Sequence, residues 1–213
     1  MSTDEDNNFR RAFETAVAGY SLQAFSEHQI TQLVNHYSML RRWNRRMNLT
    51  RIIEPEEAAR LHYAESLSGA RFIGEAASLL DIGSGAGFPA VPLAVARPDV
   101  RVVALEANQK KSLFLREVKD DLHLDNFSVA NARLESFDWS GYELLTSRAL
   151  DRAETILPSV VEHLAARQRL MLFCAPELVR VIEASLGSRV AVETHPLSRS
   201  DSRLIAIFSC AVA

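Results

Sequence analysis

The glycine-rich segment at residues 81–89, DIGSGAGFP, is the feature that most limits what this chain can fold into. It overlaps the end of a short apolar run at 79–82, which is typical of a strand, and leads into a stretch at 89–96 with helical character. Glycine permits a sharp turn between two such elements and lets a ligand approach the backbone closely. A strand, a glycine turn and a helix in this order are typical of the ligand-binding crossover in doubly wound α/β folds.

The chain beyond residue 76 repeats this alternation of strand and helix. Further helices are expected at residues 110–122, 153–165 and 177–186. Strands are expected at residues 79–82, 102–105, 127–130, 142–146, 170–174, 190–193 and 203–209. The pattern predicts a Rossmann-like, mostly parallel seven-stranded sheet with helices on both faces. Because only about nine residues separate the last two strands, which is short for a parallel crossover, the final strand is expected to be antiparallel.

The first 75 residues have helical character instead. Ser26 and Gln29 have the spacing of a capping box, and apolar residues then recur at three- and four-residue intervals. A second helix is expected to begin near Pro55, a residue that is well tolerated in a first helical turn. We therefore predict a helical N-terminal extension at residues 1–75 and a Rossmann-like domain at residues 76–213.

Composition indicates a globular protein and gives no sign of a membrane span, a signal peptide or a metal site. Hydrophobic residues make up 47% of the chain, a proportion that is ordinary for a globular protein. No apolar run approaches the roughly 18 residues of a membrane span, and the polar, acidic residues 1–8 do not resemble a signal peptide. Cys174 and Cys210 lack the spacing of metal ligands. We expect a cytoplasmic protein without a membrane partner or a bound metal.

Positive charge is concentrated near the end of the first predicted helix, in Arg41, Arg42, Arg45, Arg46 and Arg51. The spacing of the first four allows them to share one helix face, where they would bind phosphates of a nucleic acid. The alternative interpretation is a solvated helix face. The net charge of −3 gives no overall electrostatic attraction to nucleic acid, so the sequence leaves both interpretations open.

The glycine-rich segment also indicates the chemistry of its ligand. It has the pattern D-x-G-x-G-x-G, formed by Asp81, Gly83, Gly85 and Gly87. A dinucleotide fingerprint requires glycine where Phe88 stands, and a P-loop requires a Gly-Lys-Ser/Thr ending that is absent here. A carboxylate ahead of the glycines suits a ligand with cationic groups, such as an ammonium and a sulfonium, better than a pyrophosphate.

A second carboxylate completes this pattern. Glu106 ends the second predicted strand, 25 residues beyond Asp81. A carboxylate in this place can accept hydrogen bonds from both ribose hydroxyls of an adenosine. A glycine turn alone is often only a turn, and a strand-ending glutamate is often only solvated. In this order on these elements, the two features together indicate a class I S-adenosylmethionine-dependent methyltransferase.

A series of short motifs between about residues 40 and 207 points to a family. They are Trp43-Asn44, Asn48-Leu49-Thr50, residues 81–89, Lys110-Lys111 with Phe114-Leu115, Arg133-Leu134-Glu135, Ser147-Arg148-Ala149, and residues 203–207. With these motifs the sequence resembles the GidB/RsmG family. The resemblance implies methylation of N7 of a guanine in 16S ribosomal RNA, with S-adenosylmethionine as cofactor. It also implies a partner, the small-subunit RNA, within a ribosomal particle, and the expected enzyme is a monomer.

The resemblance implies a set of residues that contact the cofactor or line its pocket. They are Gly83, Phe88, Glu106, Ala107, Asn108, Leu134, Glu135 and Arg148. Arg148 is the expected catalytic-site residue, because its guanidinium can hold the methionine carboxylate of the cofactor or a phosphate in a two-pronged geometry. The alternative for Arg148 is a structural ion pair with Asp151. For Phe88, the alternative to a pocket wall is packing of the loop against the sheet.

The sequence departs from the family pattern at three places. Glu65-Ser66-Leu67 stands for Asp-Ser-Leu, Arg167-Gln168-Arg169 for Gly-Gly, and Cys174-Ala175 for Lys-Gly. Arg169 and Arg199 are candidates to replace the missing lysine charge, and Cys174 is interpreted as a buried thiol rather than a nucleophile. Two hypotheses remain: an active ribosomal RNA methyltransferase, or a divergent cofactor-binding paralogue that acts on a small molecule or without catalytic activity.

Overall fold

The computed structural model describes residues 4–148, 150–197 and 202–211. Within these residues, seven strands form one sheet in the order β3-β2-β1-β4-β5-β7-β6. The strands are β1 (Ser78–Ile82), β2 (Arg101–Leu105), β3 (Phe127–Ala130), β4 (Leu144–Arg148), β5 (Arg169–Cys174), β6 (Val190–Pro196) and β7 (Leu204–Cys210). Strands β1 to β5 pair in parallel, whereas β7 pairs antiparallel with both β5 and β6. The predicted sheet and its antiparallel last strand are confirmed.

Helices cover both faces of this sheet. They are α1 (Asp4–Gly19), α2 (Glu27–Asn44), α3 (Pro55–Glu57), α4 (Glu65–Ser68), α5 (Ala90–Ala96), α6 (Gln109–Asp121), α7 (Ala153–Glu162) and α8 (Pro176–Leu186). Alternate strand residues point to opposite faces. On β1, Leu79 packs into a core with α1, α2, α5 and α6, and Leu80 packs into a second core with α7 and α8.

The N-terminal segment is helical, as predicted, and it covers one face of the sheet. The Ser26–Gln29 capping box opens α2 with both of its hydrogen bonds formed. A π-helix (Ala58–Ala64) joins α3 to α4. On α1, Phe9 stacks on Tyr37 with 4.2 Å between ring centroids. These helices share one core with the sheet, and the division into domains 1–75 and 76–213 stays a prediction.

The fourth strand lies two residues further along the chain than the sequence predicted. The sequence predicts this strand at residues 142–146, before the polar residues Ser147 and Arg148. The strand instead runs on to Arg148, which pairs with Phe173 of β5. The Ser147 hydroxyl is buried and donates to the Ile82 carbonyl at 2.8 Å. Internal hydrogen bonding therefore lets polar residues continue a buried strand.

The carboxyl ends of β1, β4 and β5 lie side by side at one edge of the sheet. This edge is where open parallel sheets bind their ligands. In the described part of the chain, none of the helices has the length and apolar character that crossing a membrane would require.

Candidate cofactor site

The glycine loop leaves β1 and is tied to the end of the neighbouring strand β2. The backbone N–H groups of Gly83 and Ser84 donate to the Leu105 carbonyl at 2.9 and 3.2 Å. The Gly87 N–H closes the turn by donating to the Ser84 carbonyl at 2.7 Å. Gly83, Gly85 and Gly87 all have positive φ, at 73°, 56° and 89°, which explains the alternating glycines of the sequence.

The Glu106 carboxylate lies at the end of β2 and holds this loop. One carboxylate oxygen accepts the Gly85 N–H at 2.8 Å, and the other accepts the Asn108 N–H at 2.8 Å. The residue is only 8% exposed. Each oxygen has a further lone pair, so the carboxylate can accept ribose hydroxyls while it holds the loop. Glu106 thus lies directly after β2, where the sequence placed it, and its contact with an adenosine stays a prediction.

The Asp81 carboxylate lies beneath the loop and is completely buried. Neither of its oxygens receives a hydrogen bond of good geometry from the described residues, although Ser84 and the Ala90 backbone are close enough to act on its pKa. Burial raises the pKa of Asp81 to about 7, although nearby Ser84 and Ala90 partly oppose that effect. A buried carboxylate without a partner is costly, and a cationic ligand near the loop would offset that cost. The two carboxylates of the site therefore fit S-adenosylmethionine, which carries ribose hydroxyls and cationic groups.

A cavity of about 630 Å³ opens at the carboxyl ends of β1, β4 and β5. Its size is typical of pockets that bind small molecules. The glycine loop forms one wall. The other walls are formed by three groups of residues, namely Leu49, Thr50, Ile52 and His62 from the N-terminal segment, Ser147, Arg148, Leu150 and Ala153 near the end of β4, and Phe173, Cys174 and Ala175 at the end of β5. Lys111 and Arg203 also line the cavity.

Arg148 lies on the cavity wall, as expected, but its guanidinium is already held by protein groups. It donates to the Leu61 carbonyl at 2.6 Å and the Ser66 hydroxyl at 3.3 Å, and lies 3.7 Å from the Glu65 carboxylate. Glu65 is completely buried and pairs with Arg203 as well. The ion pair considered for Arg148 therefore exists, but its partner is Glu65 rather than Asp151. Burial lowers the pKa of Arg148 to about 10.

Four residues expected near the adenosine lie beyond the cavity walls, at the carboxyl ends of β2 and β3. Ala107 and Asn108 are exposed, and the Asn108 side chain caps α6 by accepting two backbone N–H groups. Leu134 and Glu135 begin a 3-10 helix (Leu134–Ser136) that follows β3. Ala107 and Asn108 directly follow Glu106 in the chain, and none of the four residues lines the cavity. Their contact with a cofactor stays a prediction.

Phe88 both lines the cavity and packs the loop. Its ring stacks on His62, with 4.5 Å between centroids and 14° between planes. It also meets the rings of Tyr63 and His36. The loop therefore packs against the N-terminal helices, whereas the sequence interpretation had placed this contact on the sheet. Phe88 is therefore both a cavity-lining residue and a packing residue, with the N-terminal helices as its ring partners.

The replacement of the family lysine is visible at the end of β5. Cys174 lines the cavity, and burial raises the pKa of its thiol to about 12. A thiol in this state is a poor nucleophile, which agrees with its interpretation as a structural residue. Arg169 cannot supply the missing charge, because it begins β5 at the opposite end and donates to the Phe72 and Ile73 carbonyls. Arg199 and Ala149 lie outside the described residues.

The arginine cluster is divided by the structure. Arg41 is half-buried, forms an ion pair with Glu5 and lies over the Tyr37 ring. The remaining members are exposed, namely Arg42, Arg45, Arg46 and Arg51. The expectation of one shared helix face is wrong, because α2 ends at Asn44 and its last members lie in the following turn. The cluster is a surface of four exposed cations around the end of α2.

Three residues of the site were missed in the sequence: His62, Glu65 as an ion-pair partner, and Arg203 as its second cation. His62 and Glu65 are three positions apart, which places both on one side of the helical segment. That spacing was the available signal. Among the described residues, no group of histidine, cysteine and carboxylate side chains is arranged to hold a metal ion.

The sheet, the glycine loop and Glu106 define the class of the protein. Solved structures with the same fold include a ribosomal protein L11 methylase from Lactobacillus delbrueckii, at a TM-score of 0.58 and 13% identity, covering 72% of this chain and 80% of that one. An S-adenosylmethionine-dependent O-methyltransferase from Thermotoga maritima matches with a TM-score of 0.54 and 16% identity, over 82% and 72% of the two chains. The chain therefore has the class I methyltransferase fold.

Residues 29–177 match the model of the GidB family, described as rRNA small subunit methyltransferase G, and the chain belongs to this family. Relatives of that description include one from Xylella fastidiosa, 40% identical over 170 residues, which are 79% of each chain. One from Methylobacillus flagellatus is 37% identical over 142 residues, 66% of this chain and 68% of its own. A relative from Stenotrophomonas maltophilia is 42% identical over 120 residues, and the match spans 56% of its length.

Proposed function

We propose that this protein transfers a methyl group from S-adenosylmethionine to N7 of a guanine in 16S ribosomal RNA. The observation that carries the proposal is the Glu106 carboxylate, which holds the glycine loop beside a cavity of about 630 Å³. Family membership supports the RNA substrate, because the relatives bear the description ribosomal RNA small subunit methyltransferase G. We further propose that the enzyme acts as a cytoplasmic monomer on RNA within a ribosomal particle.

The chemistry of N7 methylation demands positioning rather than proton transfer. S-adenosylmethionine supplies an electrophilic methyl group on a positively charged sulfur. Guanine N7 already presents a lone pair, so attack forms the N–C bond while the S–C bond breaks, and no proton leaves. Burial lowers the pKa of His62 to about 3 and raises that of Cys174 to about 12. These two cavity groups therefore keep their neutral forms near pH 7, as this mechanism allows.

The protein's own residues would align the two reactants. Glu106 would accept the ribose hydroxyls, and the buried Asp81 carboxyl group would favour the cationic end of the cofactor by ionising when that end binds. The cavity walls from β4 and β5 leave room for an extruded base. Holding two reactants in a productive orientation can supply about 7–11 kcal/mol of the barrier. A rigid loop serves this purpose, and Glu106 provides that rigidity.

The exposed arginines lie where RNA phosphates would approach the cavity. Leu49, Thr50 and Ile52 form part of the cavity wall, and Arg51 projects from the same segment. Arg42, Arg45 and Arg46 are exposed a few residues earlier in the chain, around the end of α2. Phosphate contacts fix the register of a nucleic acid, whereas the pocket selects the base. The net charge of −3 favours weak intrinsic affinity that is strengthened by docking on a particle.

The alternative of an inactive or small-molecule paralogue is less well supported. The glycine loop, Glu106 and Arg148 are all retained in one site. The lost lysine, here Cys174, would have contributed a charge-assisted hydrogen bond worth about 1.5–3 kcal/mol. Such a loss slows a reaction by roughly ten- to hundredfold and does not abolish it.

The proposal is tested with labelled S-adenosylmethionine and small ribosomal subunits from a strain that lacks the modification. We expect label at a single guanine, recovered as 7-methylguanosine. Glu106→Ala should strongly reduce labelling at low cofactor concentration, because the loop and the ribose lose their acceptor. Cofactor binding without labelling of the subunits would refute the RNA substrate and favour the paralogue.

A second experiment tests the arginine surface. Arg42→Ala with Arg46→Ala should weaken RNA binding and lower the slope of log affinity against log salt by about one unit per lost phosphate contact. The matched control is Arg180→Ala with Arg189→Ala, which removes the same charge from exposed residues at the opposite side of the sheet. Equal slopes for the two double variants would mean that the cluster is only a solvated surface.

A further inference from the structure

A short hydrogen-bond relay runs from Arg148 through His62 to the hydroxyl group of Thr50. The Arg148 guanidinium lies 3.5 Å from Nδ1 of His62, and Nε2 of His62 lies 2.9 Å from Thr50 Oγ1. His62 and Thr50 both line the cavity. The relay therefore links a buried cation to a hydroxyl on the cavity wall.

The direction of the relay is determined by the arginine. A guanidinium has only donors, and its charge beside Nδ1 favours a lone pair on that atom. His62 is neutral near pH 7, since burial and the Arg148 charge lower its pKa to about 3. A neutral imidazole carries one N–H, so we assign the proton to Nε2, which lies 2.9 Å from Thr50 Oγ1; the Ile52 backbone is a further hydrogen-bond partner of the ring. Stacking on Phe88 keeps the ring in this orientation.

The Thr50 hydroxyl is thereby left as a donor. A hydroxyl oxygen has two lone pairs and one proton. One lone pair accepts from His62, and the other accepts the Ile52 N–H at 3.1 Å. With His62 as the donor, the hydrogen bonds within the described part of the chain leave the hydroxyl proton available to another acceptor. An acceptor in the cavity would complete its hydrogen bonding.

The backbone of Thr50 is held equally firmly. The Asn44 side-chain oxygen accepts the N–H groups of Leu49 and Thr50 at 2.7 and 3.0 Å. The Asn44 side-chain nitrogen donates to the Thr50 carbonyl at 3.0 Å. Both sides of the residue are therefore fixed. A preorganised donor of this kind loses little entropy when it binds a ligand.

We propose that the Thr50 hydroxyl binds the carboxylate of the cofactor's methionine moiety. The inference rests on the proposed function, because S-adenosylmethionine is its ligand. Glu106 marks the ribose end of the site, and Thr50 lies beyond the other end of the glycine loop, next to the His62–Phe88 stack. The two arginines of the cavity wall are occupied by Glu65. Lys111 also lines the cavity, from α6, and Thr50 is the donor there that protein contacts already orient, with His62 as the positioning residue behind it.

The test compares two ligands by calorimetry, S-adenosylmethionine and its decarboxylated analogue. Thr50→Val keeps the shape and removes the donor, so it should weaken S-adenosylmethionine by about ten- to hundredfold. The analogue lacks the carboxylate, so the same variant should bind it within about twofold of the unsubstituted protein. Thr50→Ser keeps the hydroxyl, so it should bind the two ligands with the same ratio of affinities as the unsubstituted protein. The matched control is Thr31→Val, an exposed residue on α2 whose hydroxyl bonds its own helix.

A second variant separates orientation from contact. His62→Phe keeps a ring against Phe88 but removes the N–H that orients Thr50. It should weaken S-adenosylmethionine and leave the analogue unaffected, and it should add little to Thr50→Val in the double variant. If Thr50→Val does not fold, His62→Phe alone still tests the carboxylate contact through its effect on the two ligands.

The outcomes are distinct. If Thr50→Val weakens both ligands equally, or neither, the carboxylate contact is refuted. Unchanged cofactor affinity with slower methylation would place the donor on the base instead and would also overturn the inference. If the unsubstituted protein does not bind S-adenosylmethionine, the proposed function itself fails.

Discussion

Replacement of Gly87 by alanine should destabilise the protein strongly. The residue has φ of +89°, a conformation that costs an L-residue about 1–2 kcal/mol. A Cβ atom there would lie 2.7 Å from Val91 Cγ2 and 3.2 Å from Leu115 Cδ2. Overpacking of this kind costs about 1–3 kcal/mol. The free energy of unfolding should therefore fall by about 2–5 kcal/mol, which lowers the unfolding temperature by about 4–20 °C in a chain of this size.

Two other glycines provide graded controls. Gly85 also has positive φ, at 56°, but the nearest atom to its added Cβ would be the Gly83 carbonyl oxygen at 3.8 Å. Gly85→Ala should cost only the conformational strain, about 1–2 kcal/mol. Its open side faces the site, so it should weaken S-adenosylmethionine more than it weakens the fold. A Cβ atom added at Gly141 would meet no atom within 4 Å. Gly141→Ala should therefore change the unfolding free energy by less than about 0.5 kcal/mol.

Thermal and urea unfolding of the ligand-free variants measure the first effect, and calorimetry with S-adenosylmethionine measures the second. The expected order of stability loss is Gly87, then Gly85, then Gly141. Equal destabilisation by Gly87→Ala and Gly85→Ala would refute the packing argument, because only the shared backbone conformation would then matter. Unchanged cofactor affinity in Gly85→Ala would refute the assignment of the loop to the ligand.

Three further predictions concern the carboxylates and the departure from the family. Glu106→Ala should weaken S-adenosylmethionine by about 1–3 kcal/mol in calorimetry, and an unchanged affinity would contradict its role. Burial raises the pKa of Asp81 to about 7, so its stabilising contribution is full below the ordinary carboxyl pKa and is lost as pH rises through about 7. The unfolding temperature of the ligand-free protein should fall over this range, and Asp81→Asn should flatten the fall. Cys174→Lys should raise the methylation rate by about tenfold or more; no change would mean that the lysine is not needed.

Local sequence patterns predicted most strands and helices and the glycine loop with Glu106, but not the ion pairs on the cavity wall. The capping box at Ser26, the glycine loop and the strand that ends at Glu106 depend on neighbouring residues, so their physical causes are visible in the sequence. The pairing of Arg148 with Glu65 depends on tertiary contact between β4 and α4, and no local pattern encodes it. The predicted fourth strand also stops two residues before β4 does, because no local pattern shows that Arg148 is buried by tertiary contacts.

The carboxylate of Glu65 has a consequence for the order in which the molecule can be completed during synthesis. It lies on α4, near the beginning of the chain, but its two cations belong to β4 and to the residue before β7. A ribosome releases Glu65 long before Arg203. A nascent chain without its last strand would hold a buried carboxylate with half of its compensation, a costly state. The N-terminal helices therefore reach their final packing only when nearly the whole polypeptide has emerged.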